Sequence, residues 1–89
     1  MAEALQDYNR AIFLNPNYAE AYCNLGSAYG TLGQLDNAIL NFSKAIQLDP
    51  NNAMANYFMG ITLQNKGDKF GAQPYLEKAA ALEPSLYKK

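Results

Sequence analysis

Small and apolar residues recur along this chain at helical intervals. Tyr22, Leu25, Gly26 and Tyr29 fall at i, i+3, i+4 and i+7, and Ala38, Phe42 and Ala45 repeat that spacing on the following stretch. Gly33 and Gly67 interrupt the pattern where a helix C-terminus commonly needs a left-handed residue, which glycine adopts without steric cost. Pro16, Pro50 and Pro84 interrupt it again, because proline donates no helical hydrogen bond and drives the preceding residue out of the α region. The pattern and its punctuation predict helices near 2–14, 18–32, 35–48, 53–66 and 69–82.

The punctuation is also periodic. AIFLNP ends at Pro16, AIQLDP at Pro50 and AAALEP at Pro84, so the three prolines stand 34 residues apart. Laying residues 19–52 over 53–86 pairs Ala19 with Ala53, Ala21 with Ala55, Gly26 with Gly60, Gly33 with Gly67, Ala38 with Ala72 and Lys44 with Lys78. Ala45 with Ala79, Leu48 with Leu82 and Pro50 with Pro84 complete the set. Each unit is a pair of helices, and its small residues face large ones such as Tyr22, Tyr29 and Phe42, so two backbones approach closely while a ring fills the adjoining gap. The expected organisation is a partial unit plus linker at 1–18, a complete repeat at 19–52, a less regular repeat at 53–86 and a tail at 87–89. The expected fold is all-α, a solenoid of antiparallel helical hairpins.

Residues 19–52 resemble a tetratricopeptide repeat, with Tyr22, Leu25, Gly26, Tyr29, Ala38, Phe42, Ala45 and Pro50 at the signature positions of that family. Residues 53–86 resemble it through Met59, Gly60, Leu63, Ala72, Leu76, Ala79 and Pro84, but Asn56 stands where an aromatic is usual. Residues 1–16 carry the second half of the signature as Ala4, Tyr8, Ala11 and Pro16. The resemblance implies a right-handed superhelix that holds peptides or proteins on the concave surface of its first helices and has no chemistry of its own. Members that clamp the acidic tails of heat-shock chaperones use asparagine and basic residues; Asn24 matches one such asparagine, while Met54 and Phe58 occupy places that would need to be basic. The stretch YAEAYCNLG is similar to repeats of the O-linked N-acetylglucosamine transferase, whose asparagine ladder contacts substrate backbone; Asn24 fits that ladder and Phe58 breaks it.

Composition narrows the chemistry. The chain has 89 residues, is 49% hydrophobic and 17% charged, and carries a formal net charge of −1, which argues against a nucleic-acid partner. No run of 18 apolar residues and no secretory signal appears, so no membrane insertion is expected. Cys23 is the sole cysteine, and a reducing compartment, the cytoplasm, suits it best. With no histidine, no nucleophile beside a base and no metal-ligand spacing, the expectation is a protein that is not an enzyme and takes no cofactor. Asp36, Asp49 and Asp68 lie near helix ends, where capping and turns account for them, and Cys23 reads as an ordinary helix residue rather than a reactive thiol.

Two irregularities stand out. Pro74 implies that the last helix either starts late, leaving Gly71 outside, or bends. The chain also begins in mid-repeat, leaving some of Leu5, Tyr8, Ile12 and Phe13 uncovered, as expected of a segment of a longer array or of a short protein that self-associates through an open end.

The binding face follows from the helical turn of 100° per residue. With Tyr22, Leu25, Gly26 and Tyr29 inward, Glu20, Asn24, Ser27 and Thr31 form a polar outer side; the next repeat places Met54, Phe58, Ile61 and Asn65 there, flanked by Tyr57. A helix apolar nearly all round should be covered. Two coverings stay open: a peptide held in a groove, or a slight rotation that lets Tyr57 replace the aromatic missing at Asn56, with Phe58 and Ile61 buried by a further helix or by a second copy through the Met54–Ile61 surface. Three functions stay open beside them: an interaction scaffold, a substrate-recognition arm of a larger enzyme such as a glycosyltransferase, and an oligomerisation module.

Overall fold

The computed structural model describes residues 19–87. Four α-helices and no strand occur among the described residues: α1 (Ala19–Thr31), α2 (Leu35–Leu48), α3 (Ala53–Lys66) and α4 (Lys69–Leu82), followed by a 3-10 turn at Pro84–Tyr87. These bounds match the expected ones to within a residue. The expected helix at 2–14, with Leu5, Tyr8, Ile12 and Phe13, lies outside the described residues.

The two repeats use one hairpin turn. Gly33 and Gly67 sit at φ +79° and +99°. Around Gly33 its own N–H donates to the Gly30 carbonyl at 3.0 Å and the Gln34 N–H to Tyr29 at 2.9 Å; around Gly67 the same bonds run to Gln64 at 2.9 Å and from Asp68 to Leu63 at 2.8 Å. This pair of bonds satisfies carbonyls that the helix end would leave orphaned, and it requires a left-handed residue at its centre.

α1 packs along α2, α3 along α4, and α2 along α3, whereas α1 and α3 meet only lightly. Small residues set the closeness. Ala38, Ala45, Ala72 and Ala79 have no exposed surface, and Phe42 is 1% exposed. A Cβ on Gly26 would lie 2.8 Å from the Phe42 ring and 3.1 Å from the Ala38 carbonyl oxygen; at Gly60 it would lie 2.5 Å from Leu76 and 3.3 Å from the Ala72 carbonyl oxygen. The same three positions of each repeat therefore make the same contact, with Leu76 in place of Phe42.

Asn56 decides against the rotated alternative for the second repeat. Its side chain is 1% exposed, so α3 keeps the register of α1 and Tyr57 does not take over the inward position. The Asn56 amide donates to the Pro50 carbonyl at 3.2 Å and the Asn52 carbonyl at 2.9 Å. A residue that departs from the aromatic pattern thus fastens the turn between repeats through its buried side-chain amide.

Pro74 is likewise resolved. α4 begins at Lys69 with Asp68 as its cap, and the Asp68 carboxylate accepts the Gly71 N–H at 2.8 Å, so Gly71 lies inside the helix and the start is not delayed. A Cβ on Gly71 would collide with that carboxylate. The Phe70 carbonyl that Pro74 leaves without a helical donor belongs to a residue 94% exposed, on the solvent side of the helix. Asp49 accepts the Asn51 N–H at 3.3 Å within the inter-repeat turn, as expected. Asp36 does not cap: Gln34 is the N-cap residue of α2 and makes no side-chain cap bond, while Asp36 pairs with Lys66 at the end of α3. That pair is solvent-exposed and contributes little.

Gly26→Ala should gain about 0.5–1 kcal/mol of helix propensity but lose about 1–3 kcal/mol to overpacking against a buried ring, giving net destabilisation in urea unfolding. Gly60→Ala should cost less, because half-buried Leu76 is a flexible side chain where the buried Phe42 ring is rigid; a Gly26→Ala protein as stable as the parent would refute the close-approach argument. Asn56→Ala should cost about 1–2 kcal/mol by removing the hydrogen bonds to the inter-repeat turn and opening a void, and an unchanged urea midpoint would show that the clamp is idle.

Candidate functional site

Because α1 and α3 both lean on α2 rather than on each other, a trough runs between them. Its floor is the stacked pair Phe42 and Phe58, with ring centroids 5.9 Å apart and planes 22° from parallel. Two hollows lie along it. The first, about 530 Å³, is lined by Ala19, Glu20, Cys23 and Asn24 of α1, Asp49 and Asn52 of the inter-repeat turn, and Met54 and Phe58 of α3. The second, about 230 Å³, is lined by Ser27, Gly30 and Thr31 of α1, Leu35 and Phe42 of α2, and Phe58, Ile61, Thr62 and Asn65 of α3. Phe58 belongs to both and divides them.

The structure thus brings Glu20, Asn24, Met54 and Phe58 together at one hollow and Ser27, Thr31, Ile61 and Asn65 at the other. Tyr57 lines neither. Its ring lies tilted against Phe58, centroids 5.6 Å apart at 57°, so it buttresses the dividing wall from behind.

Cys23, Asn52, Asp49 and Thr62 were not anticipated at the trough. Two of them carried a readable signal: Cys23 and Asn24 stand at i+3 and i+4 from Glu20, and Ile61 and Thr62 stand so from Phe58, the spacing of a single helix face. Asp49 and Asn52 lie in a turn, where helical periodicity gives no direction.

The polar groups of the trough are partly committed. The Thr31 hydroxyl donates to the Ser27 carbonyl at 3.0 Å and the Thr62 hydroxyl to the Phe58 carbonyl at 2.7 Å, so both turn their protons back onto their own helices. The Asn52 side chain accepts the Ala55 N–H at 3.0 Å and caps α3. Asn24 is exposed at the lip and makes no side-chain hydrogen bond to the described residues. Among the described residues no group of acids and cysteine is arranged to hold a metal, and no helix is long and apolar enough to cross a membrane.

One model of the tetratricopeptide repeat matches residues 19–52 and a second matches residues 1–33, so together they span more than half of the chain. The chain belongs to the tetratricopeptide repeat family. Solved structures agree with the fold of that family. A crystal structure of MamA is 34% identical over 96% of this chain and 50% of its own, with a TM-score of 0.84. A second crystal structure of MamA protein gives 33%, 96%, 48% and 0.80, and an arginine-to-glutamate mutant of MamA gives 28%, 85%, 56% and 0.79. The chain spans about half the length of these structures. No curated protein matches its sequence. The architecture is the all-α, right-handed solenoid of helical hairpins that tetratricopeptide repeats build.

Within this tetratricopeptide trough, Cys23 is 7% exposed. Burial first, and the Glu20 carboxylate second, push its thiol up from 9.0 to about 11. The thiol is therefore a packing group and a weak nucleophile. The unfolded chain releases this proton near pH 9.0 while the folded chain keeps it to about pH 11, so the stability it contributes is intact below pH 9 and disappears as the pH rises through 11. The parent should lose more urea stability than a Cys23→Ala variant on going from pH 8 to 10.5; parallel losses would show that the thiol is not desolvated.

Proposed function

We propose that this tetratricopeptide segment is a non-catalytic interaction scaffold that binds an extended peptide or protein segment in the trough between α1 and α3. The observation that carries the reading is the half-buried ring of Phe58 stacked on the buried Phe42, an aromatic floor flanked by half-buried Ile61 and by Met54, which is 42% exposed. Aromatic anchors in a partly walled pocket dominate interface energetics. At the lip, the Asn24 amide both donates and accepts, as an extended backbone passing over the trough requires. The partner is protein rather than nucleic acid, no membrane insertion is involved, and a reducing compartment, the cytoplasm, suits the lone thiol.

A second copy of the chain is the competing occupant, and the exposure of Met54 is what favours it. Peptides selected from a random library displayed on phage, using the folded chain as bait, test both readings. Phe58→Ala should weaken the selected peptides by about 30-fold, the equivalent of roughly 2 kcal/mol. Leu40→Ser, a change at a residue 68% exposed that lines neither hollow, should leave them unaffected. Equal affinity in the parent and the Phe58→Ala variant would overturn the groove. A concentration-dependent dimer that Phe58→Ala abolishes, seen by sedimentation velocity, would give the trough to a second copy.

A further inference from the structure

We propose that the trough selects a segment in which a basic side chain lies beside a large apolar one, the basic group entering the first hollow and the apolar group the second. The inference rests on the groove reading and adds the chemistry of the occupant. Among the described residues, Glu20 and Asp49 are the charged groups lining the two hollows, and both belong to the first. Cys23, Met54 and Phe58 supply an apolar wall beneath them. A lysine or arginine side chain matches this arrangement along its length: its methylenes cover Met54 and Phe58, and its charged head reaches the carboxylate rim. A guanidinium gains further from the face of Phe58.

The carboxylates are placed for that role. Asp49 accepts the Asn51 N–H at 3.3 Å, which fixes the carboxylate within the turn while it remains exposed. The charge of Glu20 reaches into the hollow, since it adds to the upward shift of the Cys23 thiol. The second hollow has no charged group. Thr31 and Thr62 spend their hydroxyl protons on their own helices, so the surface offered there is mainly Leu35, Phe58 and Ile61. Because Phe58 is the common wall, one segment crossing it lowers a side chain on each side. An acidic segment would meet like charge at the first hollow and be disfavoured.

The phage-displayed library gives the test through the sequences it yields. Peptides captured by the parent should be enriched in lysine or arginine a few residues from a large apolar residue. For one such peptide, Asp49→Asn and Glu20→Gln should each weaken binding by about 3- to 10-fold at low salt, and added salt should shrink that difference. Both variants keep side-chain shape, and unchanged thermal unfolding would confirm that the fold is intact. Peptides that depend on Phe58 yet show no basic enrichment, or are indifferent to Asp49→Asn and Glu20→Gln, would overturn this inference while leaving the groove standing. Failure to capture any peptide sensitive to Phe58→Ala would overturn both.

Discussion

Everything in this fold depends on how closely two helices of a hairpin approach at positions without side-chain bulk. Gly26 lies against Phe42, and Gly60 against Leu76, at separations that leave no space for a Cβ. Ala38, Ala45, Ala72 and Ala79 line the same interfaces and are wholly buried. An 89-residue chain has few deep positions, so dense packing at a handful of repeated contacts replaces a large core. Because the contact recurs at a fixed period, each hairpin has the same shape and the next one stacks upon it in the same way.

Stacking creates the trough as a by-product. α2 is the element on which both α1 and α3 rest, and the space between those two first helices is closed below by the Phe42 ring. Phe42 therefore serves twice: one face fills the notch at Gly26, and its stack with Phe58 floors the groove. Fold and proposed binding surface share a residue, so the groove geometry is tied to the packing that holds the repeat together. The acidic rim of the first hollow and the uncharged lining of the second make the two ends of the trough chemically different.

Much of this was legible in the sequence, and the reasons are physical. The 34-residue period, the glycines at the hairpin turns and the outward stripe Glu20, Asn24, Ser27, Thr31 follow from helical geometry, which one dimension encodes well. What escaped depends on contacts between segments. Asn56 read as a defect because its partners, the Pro50 and Asn52 carbonyls, meet it only after the inter-repeat turn has folded back. Asp36 read as a cap because its real partner, Lys66, is 30 positions away. Pro74 left a late start and a bend open because the bond from the Gly71 N–H to the Asp68 carboxylate, which fixes the helix start, is a local contact that helical periodicity does not encode. Tyr57 fell outside the trough because the inward pull of Asn56 fixes the rotation of α3.

The most direct measurement of the central claim is a double-mutant cycle between Gly26 and Phe42, read by urea unfolding. If the notch at Gly26 exists to admit the ring, Gly26→Ala should cost about 1 kcal/mol less in a Phe42→Leu background than in the parent, a coupling well outside ordinary additivity. Costs that add to within about 0.3–0.5 kcal/mol would mean that the two residues do not meet as described, and the account of both the solenoid and its trough would fail with them.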